Sequence, residues 1–340
     1  MNSTEIKDLK SLLASPKKIV IVPHKNPDGD AIGSTVALYN FLKSKQHDAV
    51  VIAPNDYPEF LKWVPGQEDV LIFEKNTEKA TQLISDAEVI FTLDFNHFSR
   101  TGMMEEVLAK TETTYVMIDH HQQPDDYATF TYSDVSCSST CEMVYNFIEM
   151  LDETDKISPE IASALYLGIM TDTGSFRFSS TTSKTHRVIA NLIDKGAKNA
   201  NIHQDTFDNS SYERMQLLGV ALNNMKVFSE YKTAYITLSQ EELDKHNFKK
   251  GDTEGFVNYS LGIKGIIFAA IFIENKADKI IKISLRSKGD FDVNQFARKH
   301  FEGGGHINAA GGKSDLNLKE TTQKFEQLLA DYGNELKNEA

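Results

Sequence analysis

The sequence predicts an α/β protein, with an N-terminal domain built on a parallel sheet and a smaller C-terminal α/β domain. The length of 340 residues exceeds one ordinary hydrophobic core and suits two domains. In the first half, short apolar runs alternate with amphipathic segments of helical length, which indicates a parallel sheet covered by helices on both faces. In the second half the pattern changes, and one run alternates apolar and polar residues as a half-exposed strand does.

The N-terminal half is interpreted as buried strands separated by helices. After a polar helix near Ser3 to Ala14, the runs of strand length are Lys18 to Val22, Ala49 to Ala53, Glu88 to Leu93 and Tyr115 to Ile118. Helices are predicted from Ala31 to Lys43, from Thr140 to about Leu151, from Pro159 to near Gly174 and from Ser183 to Lys195. Ser139 and Glu142 have the spacing of a capping box at the start of the second of these helices.

The C-terminal half follows a polar, helix-compatible segment from Ala197 to Met225. Beyond it, β-like runs are Tyr235 to Leu238, Ile266 to Ile273 and Ile280 to Leu285, with helices around Glu241, Phe256 and Gln295. A glycine-rich loop from Gly303 to Gly312 precedes a final amphipathic helix. We therefore expect one domain over 1–196, a helical connector over 197–225 and a second domain over 226–340, with a cleft between the two domains.

The composition is that of a folded globular protein, with 40% hydrophobic and 25% charged residues. The polar start does not resemble a secretory signal peptide, and the longest apolar stretch, Gly265 to Ile273, is far shorter than a membrane span. Cys137 and Cys141 offer neither a disulfide framework nor a structural zinc site, and we expect both to be small buried residues. The expected location is the cytoplasm, without a membrane partner.

The net charge of −13 limits the partners of the protein. A protein that tracks long duplex DNA needs a row of Lys and Arg to displace counterions, so long DNA is not an expected partner. The acidity does not exclude a small phosphorylated ligand that is held by a metal ion.

Acidic and imidazole side chains follow three of the predicted strands. They are His24, Asp28 and Asp30 after the first strand, Asp94 after the third, and Asp119, His120 and His121 after the fourth. Asp172, near the end of the helix that begins at Pro159, is a further acidic candidate. Ligands of open parallel sheets bind beyond the carboxyl ends of the strands, so these side chains are expected at one edge.

Each of these residues alone has a simpler explanation. An aspartate after a strand is usually a helix N-cap, and Asp30 can cap the helix that begins at Ala31. Adjacent histidines are most often a polar surface feature. N-caps do not explain three histidines at the same edge, however, and four carboxylates packed together repel one another unless cations neutralise them. The combination therefore predicts a metal centre.

The ligand types indicate which metal and which reaction. Carboxylate and imidazole without thiolate favour Mn²⁺ or Mg²⁺, with Fe²⁺, Co²⁺ and Zn²⁺ as substitutes. Two ions about 3.5–4 Å apart, bridged by a carboxylate and a water, are the arrangement used for phosphoester hydrolysis. The sequence therefore predicts a hydrolase with two divalent cations, manganese first, as cofactors.

These motifs resemble those of the DHH phosphoesterases. The four successive motifs of that family are similar to His24-Lys-Asn-Pro-Asp-Gly-Asp-Ala31, Asp94, Asp119-His120-His121 and Thr171-Asp172-Thr-Gly174. The signature of the DHH-associated C-terminal domain resembles Gly303-Gly-Gly-His306 and Asn308-Ala-Ala-Gly311. The resemblance covers about the whole chain in order. At this length the chain is most similar to the bacterial nanoRNases, which remove nucleotides from very short RNAs and dephosphorylate 3′-phosphoadenosine 5′-phosphate.

The resemblance implies a role for each motif residue. A first metal would bind His24, Asp28 and Asp94, and a second would bind Asp30, Asp94, His120 and Asp172, with Asp94 as the bridge. His121 would face the scissile phosphate as a hydrogen-bond donor or proton source, and Asp119 would orient a histidine. His97 stands where a small or acidic residue is expected, and its role and that of Arg100 stay open.

The resemblance also implies a substrate-binding surface in the C-terminal half, made of Arg286, Ser287, Gly303, Gly304, Gly305 and His306. Consecutive N–H groups in a glycine-rich turn can form an anion-binding nest. Arg286 lies on the polar face of its strand and can clamp a phosphate with two hydrogen bonds, although a solvated edge arginine explains the same pattern equally well.

The expected function is hydrolysis of di- to pentanucleotides to mononucleotides, with 3′-phosphoadenosine 5′-phosphate as a further substrate. Expected partners are short single-stranded RNA, dinucleotides and nucleotide phosphates, and a homodimer is left open. A phosphodiesterase for linear or cyclic dinucleotide signals is an alternative. The glycine-rich motif disfavours an inorganic pyrophosphatase, the chain length disfavours a long-strand exonuclease, and the complete ligand set disfavours a catalytically silent nucleotide sensor.

Overall fold

The computed structural model describes residues 1–338, which divide into two compact units with the boundary between Asn209 and Ser210. The division falls inside the segment 197–225, for which a helical connector is predicted. One helix of that segment belongs to the first unit and another to the second.

The first unit is an α/β domain built on one sheet. Its strands are β1 (Lys18–Val22), β2 (Asp48–Ala53), β3 (Leu71–Ile72), β4 (Val89–Leu93), β5 (Thr114–Asp119) and β6 (Phe130–Ser133). Its helices are α1 (Ser3–Leu12), α2 (Gly29–Ser44), α3 (Thr77–Ser85), α4 (Glu105–Lys110), α5 (Thr140–Met150), α6 (Pro159–Asp172), α7 (Ser183–Asp194) and α8 (Asn199–Phe207). The predicted strands and helices of this half are all present, within a few residues of the expected bounds.

The six strands are parallel throughout, in the order β3-β2-β1-β4-β5-β6. The sequence patterns missed β3 and β6, because β3 has only two residues and the edge strand β6 is half-buried and lacks a continuous apolar run. Strands are added on opposite sides of β1, so the switch point of the sheet lies between β1 and β4. In an open α/β sheet this is where a ligand site forms.

Strand β1 is buried on both faces of the sheet. Ile19 and Ile21 contribute to one hydrophobic cluster, and Val20 and Val22 contribute to a separate cluster on the opposite face. This alternation explains why the strand is apolar at every position after Lys18, since neither face contacts water.

Two glycines allow α2, α5 and α6 to approach one another closely. A Cβ atom on Gly33 would lie 2.5 Å from the carbonyl oxygen of Ala164 in α6. A Cβ atom on Gly168 would lie 2.1 Å from Sγ of Cys141 and 2.8 Å from Oδ1 of Asp30. The small residues therefore bring the first turns of α2 and α5 together beside α6.

The second unit contains another six-stranded sheet. Its strands are β7 (Lys226–Phe228), β8 (Thr233–Leu238), β9 (Phe268–Asn275), β10 (Ile280–Ser287), β11 (Gly304–His306) and β12 (Ala309–Ser314). Its helices are α9 (Tyr212–Asn223), α10 (Gln240–Lys245), α11 (Phe256–Leu261), α12 (Val293–His300), α13 (Leu318–Asp331) and α14 (Gly333–Asn338). The order is β11-β12-β10-β9-β8-β7, antiparallel except for the parallel pair β8 and β9. An aromatic core that includes Phe268, Phe272, Phe296 and Phe325 covers one face.

The segment predicted as a glycine-rich loop is instead a β-hairpin, in which β11 pairs with β12 and β12 pairs with β10. Glycine has a low strand propensity, so composition alone favoured a loop. The close pairing explains two of the glycines. A Cβ atom on Gly303 would lie 1.9 Å from the carbonyl oxygen of Gly311. A Cβ atom on Gly305, whose φ is +154°, would lie 2.4 Å from the carbonyl oxygen of Ala309.

The helices are too short or too polar to span a bilayer in the part of the chain from Met1 to Asn338.

The tight packing at Gly168 leads to a test of stability. We expect Gly168→Ala to lower the free energy of unfolding by about 1–3 kcal/mol, because the added methyl group must displace Cys141 and Asp30. Gly219→Ala is the matched control, because Gly219 also lies in a helix and its Cβ position has no neighbour within 4 Å. That control should stabilise the protein by up to about 1 kcal/mol. Urea denaturation measures both changes, and equal shifts in the two variants would contradict the close packing.

Candidate metal centre

The carboxyl ends of three neighbouring strands and one helix meet at the switch point of the first unit. Strand β1 leads to His24 and to the start of α2, β4 leads to Asp94, and β5 ends at Asp119 and leads to the two histidines. Asp172 is the last residue of α6. The structure therefore brings together all the predicted metal-ligand residues of the N-terminal half.

The first group of donor atoms comes from His24, Asp28 and Asp94, whose ligand atoms lie within 4.8 Å of one another. Nε2 of His24 is 3.4 Å from Oδ2 of Asp94 and 3.9 Å from Oδ2 of Asp28. Nδ1 of His24 lies 2.8 Å from the carbonyl oxygen of Lys25, so Nδ1 carries a proton and donates to that oxygen. In the neutral ring this leaves the lone pair of Nε2 directed at the carboxylates.

Asp28 is also the N-cap of α2, since its Oδ1 accepts hydrogen bonds from the N–H groups of Asp30 and Ala31. The N-cap explanation is therefore correct for Asp28 rather than for Asp30, which lies inside the helix. The two uses are compatible, because the capping bonds occupy Oδ1 while Oδ2 faces His24.

The second group of donor atoms comes from Asp30, His120 and Asp172. Nε2 of His120 is 3.8 Å from Oδ2 of Asp30, 3.5 Å from Oδ2 of Asp172 and 3.5 Å from Oδ1 of Asp94. Asp94 therefore presents Oδ2 to the first group and Oδ1 to the second, as a carboxylate between two cations would.

A third group joins Asp94 and Asp119 to His121. Nδ1 of His121 is 2.7 Å from Oδ1 of Asp119, and the backbone N–H of His121 donates to Oδ2 of the same carboxylate at 3.0 Å. Asp119 is fully buried. It thus holds the histidine by both the ring and the backbone.

Burial and the neighbouring charges shift the pKa values of the three carboxylates Asp30, Asp94 and Asp172 in different directions. Burial, and then the charges of Asp94 and Asp172, raise the pKa of Asp30 well above its usual range. Burial, opposed by the charge of His120 but reinforced by Asp28 and Asp94, raises the pKa of Asp172 to about 6. For Asp94, burial favours the protonated form, but pairing with His120 and His24 outweighs burial and holds the pKa well below its usual range.

The pKa values of His24 and His120 are both raised, although burial alone would lower them. Burial lowers the pKa of His120, but pairing with Asp94 and the charge of Asp172 outweigh burial and raise that pKa well above the usual value. Pairing with Asp94 and the charge of Asp28 likewise raise the pKa of His24 against the effect of burial. Positive charge is therefore favoured at this site, whether it comes from protons or from cations.

The donor set fits two divalent cations. It consists of carboxylate oxygens and imidazole nitrogens without a thiolate, and the buried carboxylate of Asp94 lies between the first group and His120 of the second. Such donors suit hard or borderline divalent ions.

Asp94 has a left-handed backbone conformation, with φ at +64°. Aspartate tolerates this region better than most residues, but the conformation still costs on the order of 1 kcal/mol. The backbone N–H of Asp94 donates to the carbonyl oxygen of Ile118 in β5 at 3.2 Å, which holds the turn after β4 against the neighbouring strand.

Two supporting contacts were missed by the sequence patterns. The N–H groups of Thr140 and Cys141, in the first turn of α5, donate to the two carboxylate oxygens of Asp30 at 2.7 and 2.8 Å. Asn55, after β2, exchanges two hydrogen bonds with Asn26 in the loop that carries the first ligands. The polar residue that follows β2 was the available signal for Asn55, while the contact of α5 with Asp30 spans 110 residues and has no local signal.

The predicted capping box of α5 forms only in part. The side chain of Ser139 accepts from the N–H of Glu142, as expected. The carboxylate of Glu142 bonds instead to the hydroxyls of Ser138 and Thr185, at 2.5 and 2.9 Å. This links the start of α5 to the start of α7.

His97 and Arg100, whose roles were open, lie after β4. His97 belongs to none of the donor groups found within residues 1–338. Its side chain is 54% exposed, caps a short 3₁₀ helix through the N–H of Ser99, and lies 3.6 Å from Asp125. Arg100 is half-buried, and its charge acts to lower the pKa of His24, which places it near the first donor group.

The substrate-binding candidates of the second unit lie on β10 and β11 or directly before β11. Arg286, in β10, is half-buried and donates to its neighbouring carbonyl oxygen, that of Leu285. The hydroxyl of Ser287 donates to the carbonyl oxygen of Phe291 and accepts from Asn308, so it braces the hairpin. His306 is half-buried at the end of β11.

Two of the three N–H groups of the predicted nest have hydrogen-bond partners inside the domain. The N–H of Gly303 donates to the carbonyl oxygen of Ala297, and that of Gly305 donates to Oδ1 of Asn294. Since these two donors are used inside the domain, a role of Gly303 or Gly305 in substrate binding would rest on close approach rather than on their N–H groups.

Comparison with known proteins gives matches along both units. Residues 18–169 match the DHH family, N-terminal domain, and residues 230–336 match the DHHA1 domain. The probable bifunctional oligoribonuclease and PAP phosphatase NrnA of Streptococcus mutans is 30% identical, over 94% of this chain and 97% of that protein. The bifunctional oligoribonuclease and PAP phosphatase NrnA of Thermus thermophilus is 31% identical, over 94% of this chain and 90% of that protein.

A solved structure extends the similarity to the whole fold. The crystal structure of an exopolyphosphatase-related protein from Bacteroides fragilis has 41% sequence identity and a TM-score of 0.95, and the match covers 99% of this chain and 98% of that one. The two matched domains and the relatives that align over most of the chain agree. The chain belongs to the DHH family of phosphoesterases and carries a DHHA1 domain in its C-terminal half.

Proposed function

We propose that this phosphoesterase is a two-metal phosphodiesterase that hydrolyses di- to pentanucleotides to mononucleotides and also removes a phosphate from 3′-phosphoadenosine 5′-phosphate. The observation that carries the proposal is the position of Asp94 between two donor groups, with Oδ2 at 3.4 Å from Nε2 of His24 in one group and Oδ1 at 3.5 Å from Nε2 of His120 in the other. The names of the relatives from Streptococcus mutans and Thermus thermophilus, each an oligoribonuclease and PAP phosphatase, support the choice of substrates.

The metal assignment follows from the donor groups. His24, Asp28 and Asp94 would hold one cation, and Asp30, Asp94, His120 and Asp172 would hold the other. We propose Mn²⁺ as the preferred ion because the donors combine imidazole with carboxylate. When bound, two divalent cations neutralise phosphate charge and act as Lewis acids in phosphoester hydrolysis.

The protein itself supplies positioning and a proton donor. Asp119 fixes the ring of His121 through Nδ1, so the opposite nitrogen, Nε2, is presented as the group that contacts the scissile phosphate. Because the backbone N–H of His121 bonds to the same carboxylate, the ring has little freedom to turn away. Reorientation is thus reduced before the substrate arrives.

Selectivity is assigned to the second unit. A metal centre of this type acts on many phosphoesters, so the length preference must come from other groups. We propose that Arg286 and His306 hold the terminal nucleotide. The net charge of −13 would repel a longer polyanion that extends beyond the site.

Loss of the shared carboxylate tests the metal assignment. Asp94→Asn keeps a residue that tolerates φ +64° but removes the charge between the two donor groups, so we expect binding of fewer than two Mn²⁺ per chain and a loss of kcat of at least about 100-fold. His97→Ala is the control near the same turn and should bind two ions with nearly unchanged kcat. Isothermal titration with Mn²⁺ gives the stoichiometry, and two tight ions in Asp94→Asn would rule out the shared-ligand arrangement.

A substrate panel tests the length preference. With Mn²⁺, we expect kcat/KM to be highest for di- to pentanucleotides and to decline for a 24-nucleotide RNA, since only short strands avoid the acidic surface. Chelator treatment should abolish turnover on every substrate. A preference for the long RNA, or for a cyclic dinucleotide over its linear product, would replace the proposed substrate class with an alternative one.

Variants of the second unit test the proposed contacts of Arg286 and His306 with the substrate. We expect Arg286→Ala and His306→Ala to reduce kcat/KM for a dinucleotide by at least about 10-fold more than for a small generic phosphodiester, which does not reach these side chains. Lys282→Ala is a control on the same face of β10, at an exposed position, and should leave both values unchanged. Equal losses on both substrates would mean that Arg286 and His306 only support the fold.

A further inference from the structure

Thr140 contacts two of the three carboxylates that face His120, those of Asp30 and Asp94. Its backbone N–H donates to Oδ2 of Asp30 at 2.7 Å, and its hydroxyl donates to Oδ1 of Asp94 at 3.0 Å. These two oxygens are the ones that lie 3.8 and 3.5 Å from Nε2 of His120. Thr140 itself is fully buried.

The contacts of Thr140 are confined to one side of the centre. The oxygen of Asp94 that faces His24 is Oδ2, at 3.4 Å, and Thr140 bonds to Oδ1. Asp28 is the N-cap of α2, and its Oδ1 accepts from the amides of Asp30 and Ala31. Thr140 therefore contacts Asp30 of the second group and the oxygen of Asp94 that faces this group, whereas the Asp94 oxygen that faces His24 is the other one.

The direction of the hydroxyl bond is fixed by its partner. The hydroxyl of Thr140 lies 3.0 Å from Oδ1 of Asp94, and the carboxylate that a metal ligand must be can only accept. The Thr140 hydroxyl must donate, and a hydrogen bond to a charged acceptor is stronger and more directional than a neutral one. One lone pair of Oδ1 is thus engaged, and rotation of the carboxylate about its Cβ–Cγ bond is restrained.

The position of Thr140 is itself rigid. It begins α5, whose N-terminal amides hold both oxygens of Asp30, and Ser139 caps that helix. Glu142 ties the same turn to α7 through Thr185. A hydroxyl fixed in this way can hold Asp94 at a constant distance from Asp30.

We propose that Thr140 is a positioning residue that sets the spacing of Asp30 and Asp94 and thereby determines the affinity of the second cation, the one assigned to Asp30, Asp94, His120 and Asp172. This assignment rests on the two-metal function proposed above. Residues that orient metal ligands in this way typically change metal affinity by about 10- to 100-fold when they are lost.

The test compares Mn²⁺ binding by full-length wild type, Thr140→Val, Thr140→Ser and Thr35→Val, each freed of metal with a chelator. Thr140→Val keeps the shape and the backbone N–H but removes the hydroxyl. We expect it to weaken one of two sites by at least about 10-fold and to change the other by less than about twofold. Thr140→Ser keeps the donor and should restore the weakened site.

Thr35→Val is the matched control. Thr35 is also a fully buried threonine in a helix, but its hydroxyl donates only to backbone carbonyl oxygens of α2, those of Ala31 and Ile32. It should leave both affinities at the wild-type values. Thermal unfolding of the metal-free proteins then shows whether the two valine variants lose comparable stability.

The outcomes separate this inference from the function on which it rests. Wild-type affinities in Thr140→Val, or an equal weakening of both sites, would overturn the positioning role while leaving the two-metal centre in place. Binding of fewer than two ions by wild type would overturn the two-metal proposal and this inference with it. Selective weakening of one site, reversed by serine, supports the assignment.

Discussion

The constraint on which the rest of this structure depends is the repulsion among carboxylates buried at one edge of a parallel sheet. Asp30 and Asp94 are almost completely inaccessible to solvent, and Asp172 lies beside them. Charges in such surroundings interact strongly because little water screens them. The protein responds with groups that carry or attract positive charge: His24, His120 and the N-terminal turn of α5. The negative charge of the carboxylates raises the pKa of both histidines.

The helices around the sheet are arranged to hold these groups in place. The first turns of α2 and α5 meet beside α6, and Gly33 and Gly168 make that approach possible because a methyl group at either position would overlap a neighbour. The backbone amides of α5 can then reach Asp30. The packing of the apolar helices therefore also positions the charged groups of the centre. A substitution that changes the helix contacts would therefore shift the carboxylates, even when no ligand residue is substituted.

The two units contribute different properties to the proposed activity. In the first unit, the fold holds Asp94 in a left-handed conformation, orients His121 and brings the donor groups together. The second has a hairpin whose glycines are required by its own close pairing and whose Ser287 is bonded within the domain. The amides of Gly303 and Gly305 are likewise used within the domain, so the proposed substrate contacts of that unit rest on side chains such as Arg286.

The sequence by itself determined the parallel α/β fold of the first unit and the residues at its functional edge. Apolar runs of strand length, each followed by an acid or a histidine, are local patterns, and parallel strands necessarily place their carboxyl ends together. The sequence also located β8, β9 and β10, but it missed the hairpin after them, because glycine composition hides strand pairing. Only the tertiary structure decided which oxygen of Asp94 faces which histidine, and that Thr140 contacts Asp30 and Asp94 across 110 and 46 residues. Those contacts depend on how α2, α5 and α6 pack, and a pattern of neighbouring residues carries no record of that packing.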